Sequence, residues 1–251
     1  MAEYYRSGAW EAGLAICREW ATISYPHIRK HKEDAMTRIL KSTMILLCVV
    51  SIASCQKAYY NAMEKVGVHK RDILIDRVEE ARDSQAEAKE EFANALERFA
   101  SVVNFDGGEL QTAYNRLNAS YENCKDQAES VTKRINKVEE VAKALFVEWE
   151  QELSQYSNAN LRNQSADQLR VTQIEYRKML AAMRKAEKTM PPVLDVLRDQ
   201  VLFLKHNLNA RAVASIKTEL ATVQRDVSSL VTQMERSIAE AEQFISQMQK
   251  N

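Results

Sequence analysis

Turn-forming residues are scarce in this chain. Its 251 residues include 5 glycines and 3 prolines, and Gly8, Gly13 and Pro26 all precede Met36. Hairpins and tight turns draw on Gly, Pro and Asn-Gly, so little room is left for a sheet. Aromatic residues make up 7%, too few for a thick globular core. Neither sign of charge is in excess: 35 Lys and Arg stand against 35 Asp and Glu. Seven basic and five acidic residues precede Gln56, so the remainder carries 28 and 30. These charges are interspersed, as on solvated helix faces. No basic stripe points to nucleic acid, and no acidic tail points to a cationic partner.

Chemical motifs are equally sparse. No Gly-x-x-x-x-Gly-Lys-Ser/Thr phosphate loop exists, and no dinucleotide fingerprint, serine elbow or Cys-x-x-Cys occurs. After Gln56 the histidines are His69 and His206. A metal site in a bundle needs several His and carboxylates at inward positions, and no Glu-x-x-His is present. The expectation is a non-enzymatic protein with no cofactor and no metal.

What the chain does have begins with residues 36–55. Arg38 and Lys41 precede a short apolar run, Met44 to Ile52, the order a secretory signal requires. That run is about half the roughly 20 residues needed to span a bilayer. It ends in Ile52-Ala53-Ser54-Cys55, which resembles the bacterial lipobox. In that class of signals the cysteine sulfur receives diacylglycerol, and cleavage falls before it, here between Ser54 and Cys55. Small residues let the peptidase reach the bond, and the thiol is the nucleophile for lipid transfer. Cys48 is no rival, because Leu46 and Leu47 before it are too large. Residues 1–35 continue no later pattern and read as a mis-set start or an extension; 36–54 read as the signal peptide and 55–250 as one helical domain. Gln56 follows the lipidated cysteine. By resemblance to the sorting rule in which aspartate there retains a lipoprotein at the inner membrane, glutamine implies the periplasmic face of the outer membrane.

Beyond Gln56, apolar residues recur at alternating steps of three and four, the signature of a narrow helical stripe facing partner helices. The longest runs Leu110, Tyr114, Leu117, Tyr121, Cys124, Ala128, Val131, Ile135, Val138, Ala142, Leu145, Trp149. Others run from Leu74 to Val102, from Leu169 to Met190 and from Val213 to Met248, the last with one extra residue between Met234 and Ile238. Glu139 lies off the stripe, and its replacement by alanine is expected to cost under about 0.5 kcal/mol. Breaks are expected at Asp106-Gly107-Gly108, in the polar segment 156–163 with Ser165 and Asp167 as caps, and at Pro191-Pro192, which ends one helix. Across Asn207-Leu-Asn-Ala-Arg211 the register slips. One long helix with a stutter is expected there, with a second hairpin turn as the alternative. The fold class is all-α: an elongated antiparallel helical bundle or coiled coil, with a helix over 109–155 about 70 Å long at 1.5 Å per residue.

Three strings are more specific than heptads: Met63-Glu-Lys-Val-Gly-Val-His-Lys-Arg-Asp72, Ser101-Val-Val-Asn-Phe-Asp-Gly-Gly108 and Asp199-Gln-Val-Leu-Phe-Leu-Lys-His-Asn-Leu-Asn-Ala-Arg211. They resemble a bacterial family catalogued as domain of unknown function 2959, over roughly residues 57–250. The resemblance implies a Gram-negative source and a mature start near Cys55, and it carries over no catalytic residues.

Candidate site residues are therefore few. Cys55 is the lipidation site, Ser54 and Cys55 flank the cleavage, and Gln56 governs sorting. Lys205, His206, Asn207, Asn209 and Arg211 form a polar cluster that reads as a binding or hinge patch, or as a polar layer fixing helix register. The Gly67–Asp72 string reads as an ordinary helix start, with a basic contact to lipid head groups as the alternative. Cys124 reads as a small core residue; a link between two chains is the other reading. The leading expectation is a membrane-tethered spacer, scaffold or partner-binding rod, its partners being the membrane, through the lipid, and a protein not identifiable from sequence. Homo-oligomerisation is left open. A soluble intracellular coiled-coil accessory protein without ATPase activity is the rival.

Overall fold

The computed structural model describes Met63, residues 67–105 and residues 109–250. Within them lie five α-helices and no strand: α1 (Lys70–Val103), α2 (Leu110–Glu152), α3 (Ala159–His206), α4 (Ala210–Lys217) and α5 (Leu220–Lys250). A short 3-10 turn, Leu153–Gln155, follows α2. They belong to a compact unit, Glu64–Asn251. Helix α1 packs on α2 and α5, and α3 packs on α2 and α5, so the four long helices close a ring; α4 touches α1 and α3. Ser84 meets Ser130 at 3.2 Å while Lys70 meets Glu148 at 2.8 Å, which makes α1 and α2 antiparallel. Lys178 on α3 pairs with Glu240 on α5 at 2.9 Å, and Gln173 with Glu150 on α2 at 3.1 Å. At roughly 1.5 Å per residue, α3 is about 70 Å long. This unit is an elongated antiparallel bundle.

The stripes form its core. Every residue of the α1 stripe is buried: Leu74, Val78, Ala81, Gln85, Ala88, Phe92, Ala95, Phe99 and Val102. On α2 nine of the twelve stripe positions are buried and the others half-buried. Leu117, Val131, Ile135 and Val138 reach zero exposure. The steps of three and four keep each seam in line along adjacent helices, which is why the packing is continuous.

The structure differs from expectation at four places along α3 to α5. Pro191-Pro192 does not end a helix, because α3 runs through both. The buried series Met183, Ala186, Met190, Val193, Leu197 keeps its steps across them, and both proline rings face outward. Two backbone hydrogen bonds are lost, but the core stripe is uninterrupted and outweighs them. Val193 is the core residue that follows Met190, and Leu194 beside it is half-buried. Continuity fails instead at Asn207, where the chain turns and Asn209 caps α4. Its side-chain oxygen accepts from the Ala212 N–H at 3.0 Å, and the Asn207 amide donates to the Phe203 carbonyl at 2.9 Å. Short polar side chains that satisfy backbone groups favour such a turn over helix.

The other two corrections are local. Helix α3 starts at Ala159 rather than near Ser165, because Asn158 accepts from the backbone N–H groups of Asn160 and Leu161 at 2.9 and 3.3 Å. No extra residue interrupts α5: Ser237, fully buried, is the core position between Met234 and Ala241, a polar side chain that apolar spacing does not reveal.

Candidate functional sites along the bundle

The polar cluster of the third string lies at one end of the rod. Lys205 and His206 close α3, Asn207 and Asn209 build the turn, and Arg211 opens α4; all five are exposed. The two asparagines serve the backbone, as above. The cluster is thus a surface turn presenting Lys205, His206 and Arg211 outward, not an internal polar layer. His69 stands at the opposite end, as the N-cap of α1. Among the described residues no group of His, Cys, Asp or Glu could hold a metal ion.

The start of α1 is an ordinary helix N-terminus. Gly67 takes a positive φ of 85°, a conformation glycine adopts without strain. The His69 N–H donates to the Asp72 carboxylate at 3.4 Å. Lys70 is buried with its Nζ on Glu148, and Arg71 donates to the Met248 carbonyl. These two cations are bound to α2 and α5 and tie three helix ends together.

Every seam of the ring carries a charged tie. Glu80 bridges Arg77 and Arg134 across α1–α2. Burial pushes its carboxyl up, but the hydrogen bonds and charges of the two guanidinium groups prevail and hold it below the usual range. Arg184 grips Glu139 at 2.6 Å across α2–α3 and also reaches Glu187 and Asn136. Glu139 is off the stripe and partly exposed, and it carries this interhelical pair. Lys89–Glu235 and Lys178–Glu240 mark the remaining seams. Such half-exposed pairs add little stability each, but together they disfavour other helix pairings.

Cys124 is fully buried. Burial first, and the charge of Glu91 second, push its thiol up to about 12. A thiol held in its protonated form is a poor nucleophile, so it packs rather than reacts, as expected of a core position. The family described as "Protein of unknown function (DUF2959)" matches residues 59–248. The chain belongs to the DUF2959 family. That span takes in α1 to α4 and all but the last two residues of α5. No curated protein and no solved structure matches the chain. Ser54, Cys55 and Gln56 lie outside the described residues, as does the break expected at Asp106-Gly107-Gly108.

Proposed function

We propose that this DUF2959 protein is a non-enzymatic envelope lipoprotein: a helical rod tethered through Cys55 to the periplasmic face of the outer membrane, where it serves as a scaffold or partner-binding spacer. The observation that carries this reading is the order Arg38, Lys41, Met44–Ile52 and Ile52-Ala53-Ser54-Cys55, with charge, apolar run, small residues and cysteine in sequence. Fourteen residues separate Cys55 from α1, and α1 starts at an end of the bundle. A tether attached there leaves the rod's length free to project. Acyl chains anchor at about 0.8 kcal/mol per buried CH₂, and several chains make attachment stable. No helix among the described residues is long and apolar enough to cross a membrane.

Large apolar side chains are exposed at both ends of the bundle, Val147, Tyr156, Leu161, Val171 and Ile174 toward the start of α1 and Leu202 and Phe203 toward the other end. The choice of tethered end therefore rests on the position of Cys55 in the chain. The experiment is palmitate labelling and membrane fractionation of wild type, Cys55→Ala and Gln56→Asp. Label should vanish in the first variant, and the second should move from outer-membrane to inner-membrane fractions. An intact peptide spanning Ser54 to Gln56 in most of the cellular protein would refute processing and favour the intracellular accessory reading. Wild type in the inner membrane would refute sorting alone.

A further inference from the structure

An open groove of about 590 Å³ runs along the α2–α3 seam, within the size range of ligand sites. Its floor is apolar: Ala128, Met190, Pro191 and Leu194. Proline suits this position, since its ring adds apolar surface without a backbone N–H needing a partner. Three lysines rim it, Lys125, Lys133 and Lys188, with two glutamates. The glutamates are engaged: Glu129 lies 3.5 Å from Lys133, and Glu187 2.8 Å from Arg184. Lys125 faces Glu122 at 3.7 Å. Lys188 is exposed and makes no ion pair with any described residue.

The lining therefore joins an apolar trough to a single unmatched cation. No aromatic ring lines it to stack on a base or sugar, and Thr132 is its one neutral polar side chain. We propose that the groove binds a single-chain amphiphile with one negative charge, such as a long-chain fatty carboxylate, with its chain over Met190, Pro191 and Leu194 and its head group at Lys188. A cationic amphiphile would meet the lysine rim with like charge. This assignment does not depend on lipidation of Cys55.

The test is photolabelling of the full chain in membranes with a diazirine-bearing palmitate, with crosslinked peptides mapped by mass spectrometry. Label is expected on peptides covering 125–133 and 187–194, saturating at one ligand per chain. Unlabelled palmitate should displace it and hexadecyltrimethylammonium should not. Leu194→Glu puts a charge on the half-buried floor and should weaken displacement by about tenfold or more. Lys188→Glu, on an exposed position of an intact helix, should weaken it by about threefold or more. Circular dichroism establishes that each variant folds. Label at the groove that neither variant changes, label elsewhere in the bundle, or equal displacement by the cation would overturn the proposal. Cys55→Ala should label at the groove as wild type does, so failure of the anchor and failure of the groove are read separately.

Discussion

Replacing Gln85 with leucine probes how the α1–α5 seam is held. Gln85 is fully buried, and its Oε1 accepts from the Ser237 hydroxyl at 2.7 Å, while its Nε2 has no partner. An unsatisfied buried amide costs about 1–3 kcal/mol, whereas a neutral hydrogen bond contributes about 1 kcal/mol net. Leucine removes both and fills a similar volume with apolar atoms. Ser237 is then left to turn its hydroxyl to the carbonyl four residues back, as Ser228 does onto Gln224 at 2.7 Å. The balance favours Gln85→Leu by about 0.5–2 kcal/mol, a rise of about 2–4 °C in Tm per kcal/mol for a bundle of this size. Ser237→Ala alone leaves both ends of the buried amide unpaired and should cost about 1–3 kcal/mol. In the double variant that loss should disappear, giving a coupling of about 1–2 kcal/mol. Urea unfolding followed by circular dichroism measures all three. A Gln85→Leu protein destabilised by more than about 1 kcal/mol, or strictly additive effects, would refute the assignment of an under-satisfied polar pair.

Ile135→Asp and Leu117→Asp each place a charge on the fully buried α2 stripe and should cost several kcal/mol, while exposed Lys137→Ala should stay within about 0.5 kcal/mol; comparable melting shifts would mean the stripe is not core. The raised Cys124 thiol predicts a loss of stability as pH rises. Above about 8.5 the unfolded thiol ionises while the folded one, near 12, stays protonated, so stability should fall by about 1.4 kcal/mol per pH unit. Between about pH 8.5 and 10 Cys124→Ala should lose that dependence. Above about 10 Tyr176, which burial pushes up to about 12, adds the same loss to both proteins; identical profiles below about 10 would contradict the prediction. Asn209→Ala removes the cap of α4 and should cost about 1 kcal/mol, while His206→Ala beside it should be within about 0.5 kcal/mol; thermal melts compare the two.

The sequence by itself determined the fold class and nearly all of the core. Spacing of three and four is set by helix geometry, so Leu74 to Val102 and Leu110 to Trp149 could be assigned an inward face without knowing their partners. Cys124 was legible for the same reason. The lipobox-like order at Ile52–Cys55 is read from the sequence alone and lies outside the described residues. Tertiary structure decided what local rules weigh wrongly. Pro191-Pro192 is a strong local breaker, yet the neighbouring seams hold Met190, Val193 and Leu197 in register, and that packing outweighs two missing hydrogen bonds. Asn207 to Asn209 is a weaker signal, but the stripe slips there and side-chain capping tips the chain into a turn. Ser237 is polar, so apolar spacing does not mark it as core; its place opposite Gln85 exists only when α5 lies against α1. Glu139 pairs with Arg184 of α3, which depends on how α2 and α3 meet. The groove is likewise a property of two helices, with Ala128 set against Leu194, 66 residues later, and its neighbours, to which a single helix's periodicity holds no clue. Periodicity reports which face of a helix turns inward, while the choice of neighbour depends on the packing and charge of all four seams together.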